Sequence, residues 1–246
     1  GRERSAQAAG RDGAAAGTHD GRTQALLRAL VRCAGAAPKL VYGSTSGVYG
    51  DWQGARVAET NALRATTGRA LRRVSAEQQL RTWGHRFAAA GAGVHLLRIP
   101  GIYAGDREGG TPVARLLRGT PVLRAEDDVY TSHIHADDLA RAVVRALWHG
   151  KPQRISNVAD NTDMRMGDYF ALAATLWQLP APPRISRAEA QQALSPTLLS
   201  FMSESRRLSN ARMRLELGVV LRYPTVHEGL RAAVVLGKAS LPADGS

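Results

Sequence analysis

Three short apolar runs constrain this chain more than any other feature: KLVYGSTS (39–46), GVHLLRIPG (93–101) and RISNVAD (154–160). The first two are separated by a long segment of helical pattern, GRALRRVSAEQQLRTWGHRFAAAG (68–91), and HADDLARAVVRALWHG (135–150) precedes the third. Strands joined through helices cannot pair as hairpins. They lie parallel, and the helices cover both faces of the sheet. An α/β fold is therefore expected, with Pro100 closing the second strand.

Punctuation along the chain sets the remaining elements. Leu26, Leu27, Leu30, Val31 and Ala34 make the apolar face of a first helix, ended by Gly35 and Pro38. TPVARLLRG (111–119) reads as a short helix with Pro112 in its first turn. Asp137 is expected to cap the helix that Gly150 stops. In PTVHEGL, Thr225 and Glu228 are expected to form a reciprocal capping box. Residues 1–20 lack periodicity and read as a disordered tail. Their GRDGAAAG glycines (10, 13 and 17) mimic a dinucleotide-binding turn, but no apolar strand precedes them. No internal repeats appear.

Bulk properties exclude several function classes. The formal charge of +12 comes almost wholly from arginine scattered through every segment, and only 5% of residues are aromatic. With no basic stripe and few stacking platforms, no nucleic-acid partner is expected. The positive field would instead draw an anionic small molecule. No apolar run approaches the ~18 residues of a membrane span, so no membrane partner is expected. The first residues show no secretory pattern, and the single cysteine, Cys33, reads as a buried structural thiol on the first helix. A cytoplasmic setting fits that cysteine usage.

In open α/β sheets ligands lie beyond the carboxyl ends of the strands. Ser44, Thr45 and Ser46 end the first strand, and Pro100, Gly101 and Ile102 end the second. His133, His135, Asp137 and Asp138 are a candidate metal cluster, but alternation in an extended segment and the capping role of Asp137 argue against it, and no metal is expected.

The ordered series STSGVYG, RRVSAEQ, LRIPGIYAGDR, HIHADDLA, NVAD and LGVVLRYPTVHEGL resembles the extended short-chain dehydrogenase/reductases. It is most similar to their atypical, NAD-dependent epimerase/dehydratase-like branch, over roughly residues 20 to 236. The resemblance implies the C-terminal part of a Rossmann-type parallel sheet with a small, mostly helical substrate lobe. Residues 21–160 would form a partial NAD(P)-binding domain, with 101–126 contributing to the lobe, and residues 161–246 the rest of the lobe. It further implies NAD or NADP as cofactor, contacted by Ser44, Pro100, Gly101 and Ile102, and an anionic or sugar-nucleotide substrate contacted by Ser46, Arg107 and His135. Thr45 takes the place of the family's hydroxyl that hydrogen-bonds the reacting oxygen.

Two departures stand out. The family's Tyr-x-x-x-Lys pair is replaced by Arg69 and Arg73, counted back from Glu77. A guanidinium stays protonated and cannot act as the acid/base. Four apart on a helix, the two arginines either clamp a carboxylate or phosphate or are solvated surface groups. Tyr49 or Tyr42 are substitute proton donors or core aromatics; His135 is a substrate neighbour or a packing residue; Arg107 is a substrate ligand or a solvated loop residue. The family's glycine-rich turn is also missing. A piece of a longer protein is expected, with the first strand's edge left open. The expected function is an NAD(P)-dependent oxidoreductase or nucleotide-sugar epimerase/dehydratase-like protein. The alternatives are a non-catalytic nucleotide-binding or regulatory protein of the same fold, or a truncated inactive chain.

Overall fold

The computed structural model describes residues 17–32, 37–107 and 109–239, with side chains to residue 235. Cys33, Ala34, Gly35, Gly10 and Gly13 lie outside the described residues, as does most of the expected tail. Residues 17–20 are placed against the fold. The Asp20 N–H donates to Ser75 Oγ at 3.2 Å, and its carboxylate accepts from the Thr23 N–H at 2.9 Å.

Helix α1 (Gly21–Arg32) leads into strand β1 (Lys39–Thr45), a 3-10 turn (Ser46–Tyr49) and β2 (Arg56–Val57). Helix α2 (Gly68–Arg86) returns the chain to β3 (Gly93–Ile99), followed by β4 (Gly101–Tyr103), α3 (Val113–Leu117), β5 (Val122–Leu123), β6 (Tyr130–Thr131) and β7 (His133–His135). Then come α4 (Ala136–His149), β8 (Arg154–Asn157), β9 (Met164–Arg165), α5 (Met166–Leu176) and β10 (Arg184–Ile185). The chain finishes with α6 (Arg187–Ala193), α7 (Pro196–Phe201), β11 (Arg207–Leu208), α8 (Ala211–Glu216) and α9 (Val226–Ala239).

The three apolar runs pair in the parallel order β1–β3–β8. Central β3 is buried on both faces, as a strand sandwiched by helices must be. Val94 and Leu96 pack on Leu27, Leu80 and Trp83 of α1 and α2, whereas Leu97 points to Ala142 and Ala146 of α4. Each such side chain contributes roughly 1.5–3 kcal/mol by leaving water. β1, expected to be buried, is half-buried instead: it has a strand on one side only among the described residues. For the same reason Leu26 and Val31 of α1 are exposed, and Leu27 carries the packing.

The predicted caps change in detail. β7 runs straight into α4, so His135 rather than Asp137 is the N-cap, its Nδ1 accepting from the Asp137 N–H at 3.1 Å. Asp137 lies in the first turn, where its charge suits the helix dipole. Glu228 accepts from the Thr225 N–H at 2.9 Å, but Thr225 Oγ1 accepts from His227 rather than Glu228, so half of the box forms.

Residues after 161 are mostly helical and are tied into the first half. They return to the first half through short pairings, β9 with β6, β10 with β5 and β11 with β2. Met213 and Leu217 join the core beneath β3. This interleaving places the lobe over the strand ends.

Candidate active site

A row of polar residues crosses the sheet where its strands end. In register, Ser44 of β1 lies beside Arg98 of β3, which lies beside Asn157 of β8. Arg98 and Glu77 of α2 are both buried and form a two-pronged ion pair, Nε–Oε1 at 3.1 Å and Nη2–Oε2 at 2.7 Å. Ser44 donates to Glu77 at 2.6 Å; Arg98 Nη1 donates to Tyr49 Oη at 2.9 Å, and Tyr49 donates to Asn157 at 2.7 Å. Each buried polar group finds a partner, so the row can be dry and rigid.

Thr45, one residue on, faces the other way and borders a cavity of about 370 Å³. Its Oγ1 accepts from the Gly47 N–H at 3.2 Å, capping the 3-10 turn and leaving its O–H free to donate. Pro100, Gly101 and Ile102 form the adjoining floor with Ser46, and Arg69 stands at the rim. The other walls come from the lobe, including Arg115, Tyr130, His133, Tyr169 and Phe170.

Several residues singled out from sequence stand elsewhere. Ser44 is spent on Glu77 and does not line the cavity. Arg69 and Arg73 do not converge there. Arg69 lies over the Phe201 ring at 4.9 Å, whereas Arg73 donates to the Tyr42 hydroxyl at 2.7 Å and borders a separate hollow of about 590 Å³ by α1, to which Arg69 also contributes. Arg107 is exposed in the loop after β4 and does not reach the cavity. His135 packs at 4.0 Å on Tyr223 while capping α4, which uses it as structure. Tyr49 is fully buried, and burial pushes its phenol above the ordinary range, so it is no proton donor to the cavity.

His133, weighed only as a metal ligand, lines the cavity. Its ring stacks on Tyr169 at 4.2 Å, and burial pushes its imidazole down to about 4, so it is neutral at physiological pH. Its Nδ1 is buried without a hydrogen-bond partner, as is the Oγ1 of Thr131, two residues earlier and also in the lining. Among the described residues no group of three or more His, Cys, Asp or Glu could hold a metal. No helix among them is long and apolar enough to cross a membrane.

Parallel strands whose carboxyl ends open on a cavity roofed by a second lobe define a Rossmann-type α/β protein. The chain belongs to the NAD dependent epimerase/dehydratase family, whose model matches residues 11–159. It is 32% identical to a functionally unknown conserved protein from Silicibacter pomeroyi DSS, with a TM-score of 0.69, 81% of this chain and 66% of that one being covered. MoeE5 in complex with UDP-glucuronic acid and NAD is 21% identical, with a TM-score of 0.67 over 89% of this chain and 70% of that one. The UDP-glucuronic acid 4-epimerase from Bacillus cereus in complex with NAD is 17% identical, with a TM-score of 0.66 over 88% of this chain and 66% of that one. The last two likenesses show the fold alone. The chain spans about two thirds of the length of these relatives. A comparison with curated proteins finds no match.

Proposed function

We propose that this chain carries the substrate site of an NAD(P)-dependent, epimerase/dehydratase-like enzyme acting on a sugar nucleotide. The observation that carries the reading is the crevice shared by Thr45 and Pro100–Ile102 at the ends of adjacent parallel strands. The glycine at 101 lets its backbone pack closely on His133, where an added Cβ would come 3.2 Å from the ring, and so fixes the floor of the crevice. Pro100, Gly101 and Ile102 would hold the nicotinamide end of the dinucleotide. A bound NAD(P) supplies hydride acceptance and return.

Thr45 donates its free O–H to the reacting oxygen, and the Glu77–Arg98 row behind β1 holds that strand end in place. Arg69 cannot take the proton that leaves. Burial pushes the phenols of Tyr103 and Tyr169 well above their ordinary range, so neither is a base, and the Tyr103 hydroxyl already donates to the Thr225 carbonyl at 3.3 Å. Tyr130, lining the cavity with the guanidiniums of Arg207 and Arg165 at 4.8 and 5.4 Å from its ring, is the phenol we assign to proton transfer.

The second reading, a protein that binds such ligands without turning them over, is favoured by the arginines at both family acid/base positions. Titration of the purified chain with NAD and NADP, alone and with UDP-glucose or UDP-glucuronic acid, separates the two. Calorimetry reports binding and nicotinamide absorbance reports turnover. For the enzyme, Thr45→Val is expected to lower turnover roughly 10²- to 10³-fold with the fold intact. Binding without turnover supports the second reading, and no binding of either dinucleotide overturns both.

A further inference from the structure

Arg115 is the half-buried guanidinium in the cavity wall that has no acceptor. It makes no hydrogen bond or ion pair among the described residues and lies over the Phe170 ring, 5.7 Å from its centre. The other half-buried arginines among the described residues each donate to a carboxylate or carbonyl, as Arg154 does to Glu216 at 2.8 Å and Arg145 to the Leu217 carbonyl at 2.7 Å. Burial without an acceptor destabilises a charge, and Arg118 nearby adds repulsion. The neighbouring wall holds two more unsatisfied groups, Thr131 Oγ1 and His133 Nδ1. The cavity as a whole is cationic. Its one carboxylate, Glu204, is already paired with Arg206 at 2.7 Å, leaving Arg69 and Arg115 uncompensated.

We propose that Arg115 is a specificity residue that receives the carboxylate of a sugar-acid substrate whose reacting oxygen lies at Thr45. This rests on the sugar-nucleotide reading above and narrows its substrate class. A carboxylate matches better than a phosphate. Within the lining Arg115 supplies one fork of donors beside the neutral rings of Tyr169 and Phe170, and Arg118 nearby lies outside the lining; a single fork matches a single carboxylate. A phosphate, with more charge and a stronger hold on water, suits the exposed Arg69 at the rim.

The test compares UDP-glucuronic acid, UDP-glucose, UDP and free glucuronate on the full chain by calorimetry, with and without Arg115→Met. Wild type is expected to prefer UDP-glucuronic acid to UDP-glucose by roughly 10- to 100-fold, the range of a charge-assisted hydrogen-bonded pair. Arg115→Met is expected to erase that preference while UDP-glucose affinity changes less than about twofold, which also shows that the variant folds. Arg115→Lys should restore only part, since it keeps the charge but not the fork. Equal binding of acid and neutral sugar by wild type, or a preference that survives in Arg115→Met, overturns the inference and leaves the sugar-nucleotide reading standing. A loss of UDP affinity as large as that of UDP-glucuronic acid assigns Arg115 to the phosphates and also overturns it. Arg115-dependent binding of free glucuronate with no binding of either nucleotide sugar removes the sugar-nucleotide reading and with it the inference.

Discussion

Replacing Arg98 by Met would remove the cation on which the polar row depends. Glu77 would lose both guanidinium bonds, now at 3.1 and 2.7 Å, and keep only the Ser44 hydroxyl; Tyr49 would lose its donor at 2.9 Å. Both members of the pair have side chains only 3% exposed, so water cannot substitute without opening the sheet end. Stripping one partner from a buried pair costs about 3–5 kcal/mol, a large share of a typical domain's stability. The double variant Glu77→Leu/Arg98→Met should behave differently. It removes both charges, leaving two hydroxyls short of one partner each, a loss of roughly 1–2 kcal/mol. Urea unfolding followed by tryptophan fluorescence, with all four members of the cycle at matched slope, measures the coupling. If Arg98→Met costs under about 1 kcal/mol, or the double variant loses the sum of the single losses, the row is not a rigid buried unit.

Two further predictions test local geometry and ionisation. Gly50 has φ +64°, and a Cβ there would come 2.1 Å from the Arg64 carbonyl oxygen, so Gly50→Ala should cost at least about 2 kcal/mol in thermal or urea unfolding. Gly21→Ala in α1, whose Cβ meets nothing within 4 Å, should instead be neutral or stabilising by up to about 1 kcal/mol. Burial raises the Asp160 carboxyl from 3.8 to about 7, so its protonated form is favoured in the folded state. Its contribution is full below pH ~4 and is lost as pH rises through about 7, on the order of 4 kcal/mol in all. His133, lowered from 6.5 to about 4, works the opposite way: its contribution is present above 6.5 and is lost as pH falls toward 4. Asp160→Asn should therefore gain on wild type as pH rises from about 4 to 7, and His133→Gln should gain as pH falls from about 6.5 to 4. Unfolding midpoints across that range that run parallel to wild type would contradict both assignments.

Local pattern and chain order determined much of this protein. Three apolar runs separated by helical segments were enough to require a parallel sheet, because a strand returning through a helix has no other way to pair. The position of Thr45 at a strand end followed from that topology, and so did its place beside Pro100–Ile102 once β1 and β3 were neighbours. The stop at Gly150 and the helix entering at Thr225 were also legible, since both act over a few residues. Tertiary structure decided what each neighbouring side chain is used for. Ser44 and Thr45 are adjacent, yet the pleat turns one inward to Glu77 and the other toward the cavity. Arg69 and Arg73 share a helical spacing and both border the hollow by α1, but only Arg69, lying over Phe201, also reaches the cavity, while Arg73 is held by Tyr42. Arg115, Tyr130 and His133 reach one wall only because short strands far apart in sequence fold the lobe back over the sheet. Period and spacing encode which face a residue takes on its own element; they carry no record of which distant element will meet that face, and that meeting sets burial, charge and hence chemistry.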